Sequence, residues 1–431
     1  MNQSDFDIKQ THILNSLRDL KIKGLEKIDI SRLLFNVSGE ALKATKTESI
    51  KKLLRTVFFN VINIEYINKK GNLPTIISYD YHREDHTRYW EMFKCIVSEY
   101  NEIRIDEGRK NYCKCRTPRE IVSILSNFFF VKKKISRIGD STIRRVIATN
   151  LSELIVLKKY LDRHNNYGTS AFIFFDGNRI ENLIVQSLRN NGVKVATMQH
   201  GQPVFHGLDC DRINQTMILN FSSDYIMVTG DYSKKQFLLG GIPEEKIFVG
   251  GSLREVSSVK ESGKDFAVFL DCPTNPNAVQ DNEELIECAR SISSLMDSQY
   301  VIKCHPQDDP KNYTVFSDKR GSFVPKGTNI KKALEGKRFS ILHASGVYLD
   351  IIAEGVKAFC YVNETDFPLV EEGMDSFRTA NELVEKIKEW NSFKTIEKQE
   401  YMNKVIDYYL SPCDVERRYK EFVDKLNSRD V

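Results

Sequence analysis

The chain has 431 residues, of which 41% are hydrophobic and 28% are charged. This length allows two or three domains with sizeable cores, and the composition is that of a globular protein rather than a disordered or fibrous one. The 63 Lys and Arg against 59 Asp and Glu give a net charge of +4, too small to indicate a dedicated nucleic-acid binder. No apolar run reaches the ~18 residues of a transmembrane helix, so no membrane span is expected.

The nine cysteines are scattered, and only Cys113 and Cys115 lie close together in the sequence. A C-x-C pair without further ligands nearby is not a zinc motif, so no metal site is expected there. The first residues, Met1 to Asp7, lack the charged and apolar regions of a secretory signal. These features predict a cytoplasmic protein with reduced thiols.

Residues 1–150 are predicted to form a helical N-terminal extension, because leucines recur there at helical spacing. The first 60 residues hold eleven Lys and Arg against seven Asp and Glu. A second basic cluster comprises Lys132, Lys133, Lys134, Arg137, Arg144 and Arg145. One interpretation is a solvated helix face. The other is attachment to an anionic membrane surface, where each basic residue contributes on the order of 1 kcal/mol.

From residue 151 onward, short apolar strands alternate with helices, as is typical of parallel α/β units. The predicted strands are 171–175, 193–198, 225–228 and 247–249 before a polar linker, and 266–270, 300–303, 339–342 and 358–362 after it. The fold class is therefore predicted as α/β, with two Rossmann-like domains. The predicted domains are 1–258, with its α/β core over 151–258, and 259–405. Residues 406–431 are predicted to form a helix that packs back on the N-terminal domain.

Polar residues follow several of these strands, and ligands of open parallel sheets bind at the carboxyl ends of the strands. His200 comes directly after a strand and before Gly201. Because the ordinary pKa of histidine lies near neutral pH, His200 is a candidate general base. The alternative interpretation is that His200 caps a strand–helix turn. Asp209 and Asp211 form a D-x-D pair of the kind that can hold a divalent cation, but a loop role is favoured.

Four further candidates belong to the second domain. His305 is held extended by Pro306 at a strand end, where it can donate a hydrogen bond to a phosphate. Ser345 and Gly346 stand between a strand and a helix, where a hydroxyl and backbone N–H groups favour an anion. Glu354, near the end of the same helix, is a candidate for ribose hydroxyls, although a surface glutamate is the alternative. No G-x-G-x-x-G or P-loop motif occurs.

In their order along the chain these motifs resemble those of GT-B glycosyltransferases that build bacterial cell-surface polymers. The group contains CDP-glycerol glycerophosphotransferases, bacterial sialyltransferases and capsule Kdo transferases. The resemblance spans about 150–405 and rests on four segments. They are Met198-Gln199-His200-Gly201, Lys303-Cys304-His305-Pro306, His343-Ala344-Ser345-Gly346 and Ala353-Glu354-Gly355. Gln199 stands where the glycerophosphotransferases usually have Trp, and the acidic motif of the sialyltransferases is absent unless Asp176-Gly177 replaces it.

The resemblance implies a metal-independent transferase that needs no cofactor besides its nucleotide-activated donor. His200, with Asp176, would be catalytic. The implied donor-binding residues are His305, Ser345, Gly346, Glu354 and Thr274. The acceptor would be a lipid-linked or growing surface glycan, such as capsule or a teichoic-acid-like polymer, met at the inner face of the plasma membrane. The alternatives are a nucleotide-sugar 2-epimerase of the same fold and a catalytically inactive partner subunit.

Overall fold

The computed structural model describes most of the chain. The described residues are 3–60, 62–67, 73–79, 84–107, 114–163, 168–199, 201–203, 219–260, 263–272, 278–316, 319–343, 345–362, 370 and 374–428. They form two compact units. The first comprises Met1–Val228, Lys234–Gly250 and Asp414–Val431, and the second comprises Thr229–Ser233 and Gly251–Cys413.

The first unit is a twisted sheet flanked by helices. Its helices are α1 (Gln3–Arg18), α2 (Ile30–Leu33), α3 (Phe35–Lys43), α4 (Lys46–Phe58), α5 (Glu84–Val97), α6 (Pro118–Lys134), α7 (Ser141–Leu161), α8 (Arg179–Asn190) and α9 (Asp231–Leu239). Its strands are β1 (Phe59–Asn60), β2 (Ile62–Ile67), β3 (Thr75–Tyr79), β4 (Asn101–Glu107), β5 (Lys114–Cys115), β6 (Ser170–Ile173), β7 (Lys194–Met198), β8 (Tyr225–Val228) and β9 (Ile247–Val249). Seven strands pair in the order β2-β4-β3-β6-β7-β8-β9, antiparallel at β2–β4 and parallel elsewhere, while β1 pairs with β5.

The second unit is an entirely parallel sheet with helices on its connections. Its strands are β10 (Asp265–Phe269), β11 (Tyr300–Lys303), β12 (Gly321–Phe323), β13 (Lys337–Leu342), β14 (Lys357–Tyr361) and β15 (Ser376–Phe377). Its helices are α10 (Ala278–Met296), α11 (Ile330–Ala333), α12 (Val347–Ala353), α13 (Ala380–Ser392) and α14 (Thr395–Leu410). The strand order is β12-β11-β10-β13-β14-β15.

The sequence patterns account for these elements. Strands buried on both faces are continuous apolar runs, and the rings of Phe266 and Phe339 stack 4.9 Å apart between neighbouring strands of the second core. Helix α13 begins after Thr379, whose side chain accepts a hydrogen bond from the Glu382 N–H and so caps the helix. The predicted pair of α/β domains is therefore confirmed.

The predicted helical extension over 1–150 is wrong in its middle part. Helices α1–α4 occupy most of 3–58 and helices α6 and α7 occupy most of 118–161, but β2, β3 and β4 lie within 62–107 and complete one side of the first sheet. In β2, Ile62 and Ile64 are buried and alternate with the exposed Asn63 and Glu65. This alternation with a period of two indicates a strand, but the leucines at helical spacing in the neighbouring segments favoured a helix over the whole range.

The last helix, α15 (Val415–Asn427), belongs to the first unit. The Phe422 ring stacks on Phe248 of β9 with 4.0 Å between centroids, and the Tyr419 ring meets Phe93 of α5 edge-on. A Cβ on Gly250 would lie 2.4 Å from the Tyr419 ring, so this close contact requires a glycine at position 250. Within the described residues, every helix is too short or too polar to cross a bilayer.

Candidate functional site

Three loops of the second unit meet at the carboxyl edge of its sheet. In the parallel register, Phe269 at the end of β10 is paired with Lys303 of β11 on one side and with Leu342 of β13 on the other. His305 and Ser345 follow these ends by two and three residues. Since neighbouring strands lie about 4.8 Å apart, the two loops leave the sheet about 10 Å from each other. Their polar groups therefore border one site.

His305 is half-buried in a turn that its own ring helps to form. The Gln307 N–H donates to His305 Nδ1 at 3.2 Å, and the Asp308 N–H donates to the His305 carbonyl at 2.9 Å. Because Nδ1 accepts this bond, a neutral ring carries its proton on Nε2. A neutral His305 therefore carries its hydrogen-bond donor on Nε2.

A buried network behind His305 joins its loop to the loop after β10. Asp308 accepts a hydrogen bond from the Tyr313 hydroxyl at 2.5 Å, and Tyr313 accepts one from Asn282 Nδ2 at 3.0 Å. Asn282 also accepts from the Asp271 N–H at 2.8 Å. None of the sequence motifs indicated Asn282, Tyr313 or Asp308 as part of this site. An aspartate three residues after His305 was a recognisable turn signal.

Ser345 and Gly346 lie at the start of α12, as predicted. The Ser345 carbonyl accepts from the Tyr348 N–H at 3.1 Å, and Gly346 caps the helix without a side chain. No described residue forms a hydrogen bond with the Ser345 hydroxyl, and Ser345 is partly exposed. Its hydroxyl is therefore available to a ligand at the same edge as His305.

Glu354 is not brought to this edge. It caps the opposite end of α12, nine residues after Ser345, which corresponds to about 13 Å along a helix. There it accepts a hydrogen bond from Lys260 Nζ at 3.0 Å. The described geometry thus pairs Glu354 with Lys260 instead of grouping it with Ser345.

An open cavity of about 500 Å³ lies in the second unit, between α10, the end of β14 and the start of α13. Its walls include Glu283, Glu284, Glu287, Tyr361 and Arg378. Neither His305 nor Ser345 lines it. The three carboxylates would repel a phosphate, so this cavity does not favour an anionic ligand.

In the first unit, Asp176 follows β6 at the carboxyl edge but is completely buried, with 0% exposure. Its Oδ2 accepts hydrogen bonds from the Ser222 N–H, the Ser223 N–H and the Ser223 hydroxyl at 2.8–2.9 Å. These bonds tie the loop after β6 to the segment before β8. The contacts are those of a residue that holds loops in place, and no surface of Asp176 is left for a substrate.

Burial raises the pKa of Asp176 from 3.8 to about 6, although its hydrogen bonds oppose the shift. Because the pKa of Asp176 is higher in the folded protein than in the unfolded chain, the folded state binds this proton more tightly and protonation stabilises it. Its contribution to stability is therefore present below about pH 4 and lost as the pH rises through 6.

We expect the free energy of unfolding of Asp176→Asn, relative to the natural protein, to rise by up to about 3 kcal/mol between pH 4 and pH 7. The amide cannot ionise, so it escapes the cost of a buried carboxylate. Urea unfolding at several pH values measures this difference. A difference that stays constant over the range would contradict the assignment of the raised pKa to Asp176.

Several predicted residues lie outside the described residues: His200, Thr274, Asp209, Asp211 and Ala344. The residues next to His200 are placed at the end of β7, where Gln199 Nε2 donates to the Gly201 carbonyl at 2.9 Å. Among the described residues, no three His, Cys, Asp or Glu side chains group as metal ligands.

Comparisons with known proteins identify the fold. Neither a family model nor a curated protein matches this chain. A solved structure of Staphylococcus aureus MnaA with UDP is similar, with a TM-score of 0.50 at 11% identity, over 82% of this chain and 96% of that chain. A Methanocaldococcus jannaschii UDP-GlcNAc 2-epimerase has a TM-score of 0.47 at 14% identity, with coverages of 82% and 98%. A Burkholderia multivorans trehalose 6-phosphate synthase has a TM-score of 0.46 at 11% identity, with coverages of 83% and 98%.

Two Rossmann-like units and this likeness establish the GT-B fold for this chain. At such low identity the likeness concerns the fold alone. The narrower resemblance to glycerophosphotransferases, sialyltransferases and Kdo transferases stays a prediction from the motifs.

Proposed function

We propose that this protein is an enzyme that binds a nucleotide-activated sugar, with its phosphates at the carboxyl edge of the second sheet. The proposal is carried by the register that sets the loops of His305 and Ser345 on either side of the loop after β10. A half-buried imidazole on one loop, and an available hydroxyl with N–H groups on a second loop that leaves the sheet about 10 Å from the first, suit the two ends of a diphosphate. In this proposal Thr274 contributes from the central loop.

UDP is the nucleotide we propose, because the similar MnaA structure contains it. With UDP as the nucleotide, the 2-epimerase alternative is favoured over glycosyl transfer from a CDP- or CMP-linked donor. We therefore propose epimerisation as the first reaction to test and glycosyl transfer as the second, since a fold hosts more than one chemistry. Both reactions require a base, for a carbon-bound proton or for an acceptor hydroxyl, and His200 is proposed for this role.

For the transfer reaction, we propose a lipid-linked or growing cell-surface glycan as acceptor, reached from the cytoplasmic side. This part of the proposal rests on the motifs alone. In contrast, the inactive-subunit alternative predicts nucleotide binding without turnover, which the same experiment can detect.

The test is to incubate the protein with UDP-, CDP- and CMP-linked sugars, measuring binding by calorimetry and products by NMR. A 2-epimer formed without acceptor supports epimerisation, whereas nucleotide release that depends on an added glycan acceptor supports transfer. If no nucleotide binds and no sugar is converted, the proposed function is wrong.

We expect His305→Ala to weaken UDP binding about tenfold, because a charged phosphate loses one hydrogen-bond donor. Calorimetric titration with UDP measures the change. The matched control is His12→Ala, an exposed histidine of α1, which should leave the affinity unchanged. Equal affinities for His305→Ala and the natural protein would remove His305 from the site.

A further inference from the structure

Two helices of the first unit expose large apolar side chains. The α4–α6 face, as we name it, consists of Ile50, Leu54 and Phe58 of α4 with Val122, Phe129 and Phe130 of α6. The exposed fraction is 66% for Val122, 64% for Phe129 and 50% for Leu54. The α4 residues recur every four positions, so they form one row on that helix. Apolar exposure of this extent on neighbouring helices indicates an interaction surface.

The two helices lie side by side. The Arg116 N–H, just before α6, donates to the Phe58 carbonyl at the end of α4 at 2.9 Å. Arg145 near the start of α7, which follows α6, donates to Ser49 near the start of α4 at 2.7 Å. Helices α4 and α6 thus run antiparallel, and both pack on the buried helix α7. The exposed apolar residues of the α4–α6 face thus lie on two adjacent antiparallel helices.

Basic side chains without ion-pair partners surround these apolar groups. The exposed Lys51 and Arg55 of α4 and the exposed Lys133 and Lys134 of α6 form no salt bridge with any described residue. The acidic residues at the helix starts are occupied by capping, Glu48 with Thr45 and Glu120 with Thr117. The face is therefore apolar and positively charged at once.

We propose that the α4–α6 face binds an anionic lipid surface, with the phenylalanines entering the headgroup region and the basic residues contacting lipid phosphates. Amphipathic helices with this pattern lie in the plane of a membrane interface. A second copy of the chain is a poorer occupant, because a twofold pairing of the face would set its lysines against each other. The proposal does not depend on nucleotide binding. It rests on the proposed function in one respect only, which is that membrane binding would give the enzyme access to a lipid-linked acceptor.

The experiment is co-sedimentation of the full chain with phosphatidylglycerol–phosphatidylcholine vesicles at low salt. We expect binding that 0.5 M NaCl releases and that pure phosphatidylcholine vesicles do not support. Phe129→Ser with Phe130→Ser, and separately Lys133→Glu with Lys134→Glu, should each reduce partitioning about tenfold or more.

Matched controls make the same changes in the second unit, at exposed positions of α10, α14 and α11. They are Leu295→Ser with Ile396→Ser, and Lys331→Glu with Lys332→Glu, and both should bind vesicles as the natural protein does. Because all altered side chains are exposed, thermal melting should show that every variant folds.

Three results would overturn the proposal: no binding of anionic vesicles by the natural protein, equal binding by all variants, or a dimer in light scattering that only the α4–α6 variants dissociate. UDP titration of the same variants separates the two proposals. If a variant loses vesicle binding but keeps its UDP affinity, the loss is assigned to the α4–α6 face. If the natural protein binds vesicles but no UDP, the membrane proposal is supported and the proposed function is wrong.

Discussion

Replacing Gly355 with alanine should lower the free energy of unfolding of the second unit by about 3 kcal/mol or more. Gly355 has φ of +73°, a conformation that costs an L-residue about 1–2 kcal/mol. A Cβ would lie 2.1 Å from the Ser258 carbonyl oxygen and 3.1 Å from that of Ser257. Both neighbours are backbone atoms, so the clash cannot be relieved by rotating a side chain.

This segment is anchored from both sides. The Ser257 N–H donates to the Ala353 carbonyl at 2.7 Å, and the Lys260 N–H donates to the Gly355 carbonyl at 2.9 Å. Displacing 257–260 to admit a methyl group would break these bonds and the Lys260–Glu354 ion pair. The Ala353-Glu354-Gly355 motif therefore has a structural role in holding the chain that enters the second unit.

Thermal or urea unfolding measures the effect, and Gly327→Ala is the matched control. Gly327 has φ of +88°, but a Cβ there would meet nothing within 4 Å. The control should lose only the conformational cost, about 1 kcal/mol. Equal losses for the two variants would show that the contact with Ser258 does not constrain position 355.

His200→Ala should reduce kcat on the converted sugar nucleotide by about 10²-fold or more, since a positioned general base contributes at least this much. In the sequence His200 follows Gln199, which comes directly after β7, and β7 lies between β6 and β8 in the first sheet. The base acts on the reacting sugar or acceptor and not on the nucleotide, so we expect UDP affinity to stay within about twofold.

Steady-state turnover with the nucleotide sugar chosen by the binding panel measures this effect. His206→Ala is the comparison, because this histidine is close in the sequence but does not directly follow a predicted strand. It should keep most of the activity. An unchanged kcat for His200→Ala would leave His200 as a turn-capping residue and send the search for the base elsewhere.

The strand ends at the candidate site were predictable because the residues next to each of them in the sequence indicate where the strand stops. The strand run Tyr300–Lys303 ends one residue before His305-Pro306, and the run ending at Leu342 leads to Ser345-Gly346. Fully buried parallel strands need such runs, and glycine, proline or a polar residue must end them. The predicted placement of His305 and Ser345 after strands of one sheet therefore agrees with the structure.

The first part of the chain shows where local patterns are insufficient. Strands β3 and β4 contain Thr75-Ile76-Ile77 and Ile103-Arg104-Ile105, which are too short to outweigh the long helices around them. They become strands because β6 offers a parallel edge to β3, and β3 then pairs with β4. The pairing of β3 with β6 joins residues nearly a hundred positions apart, beyond the reach of any local pattern.

By itself, the sequence determined the order of strands and helices from residue 151 onward, the two α/β domains and the residues at their strand ends, because hydrophobic periodicity and turn chemistry are local. Only the tertiary structure decided which of those residues a ligand can reach. Asp176 is enclosed by Ser222 and Ser223, and Glu354 is held by Lys260 at the far end of α12. Burial and charge pairing depend on segments that are distant in the sequence. The net charge of +4 likewise gives no indication of the basic, apolar α4–α6 face, because that face forms only when α4 and α6 lie side by side.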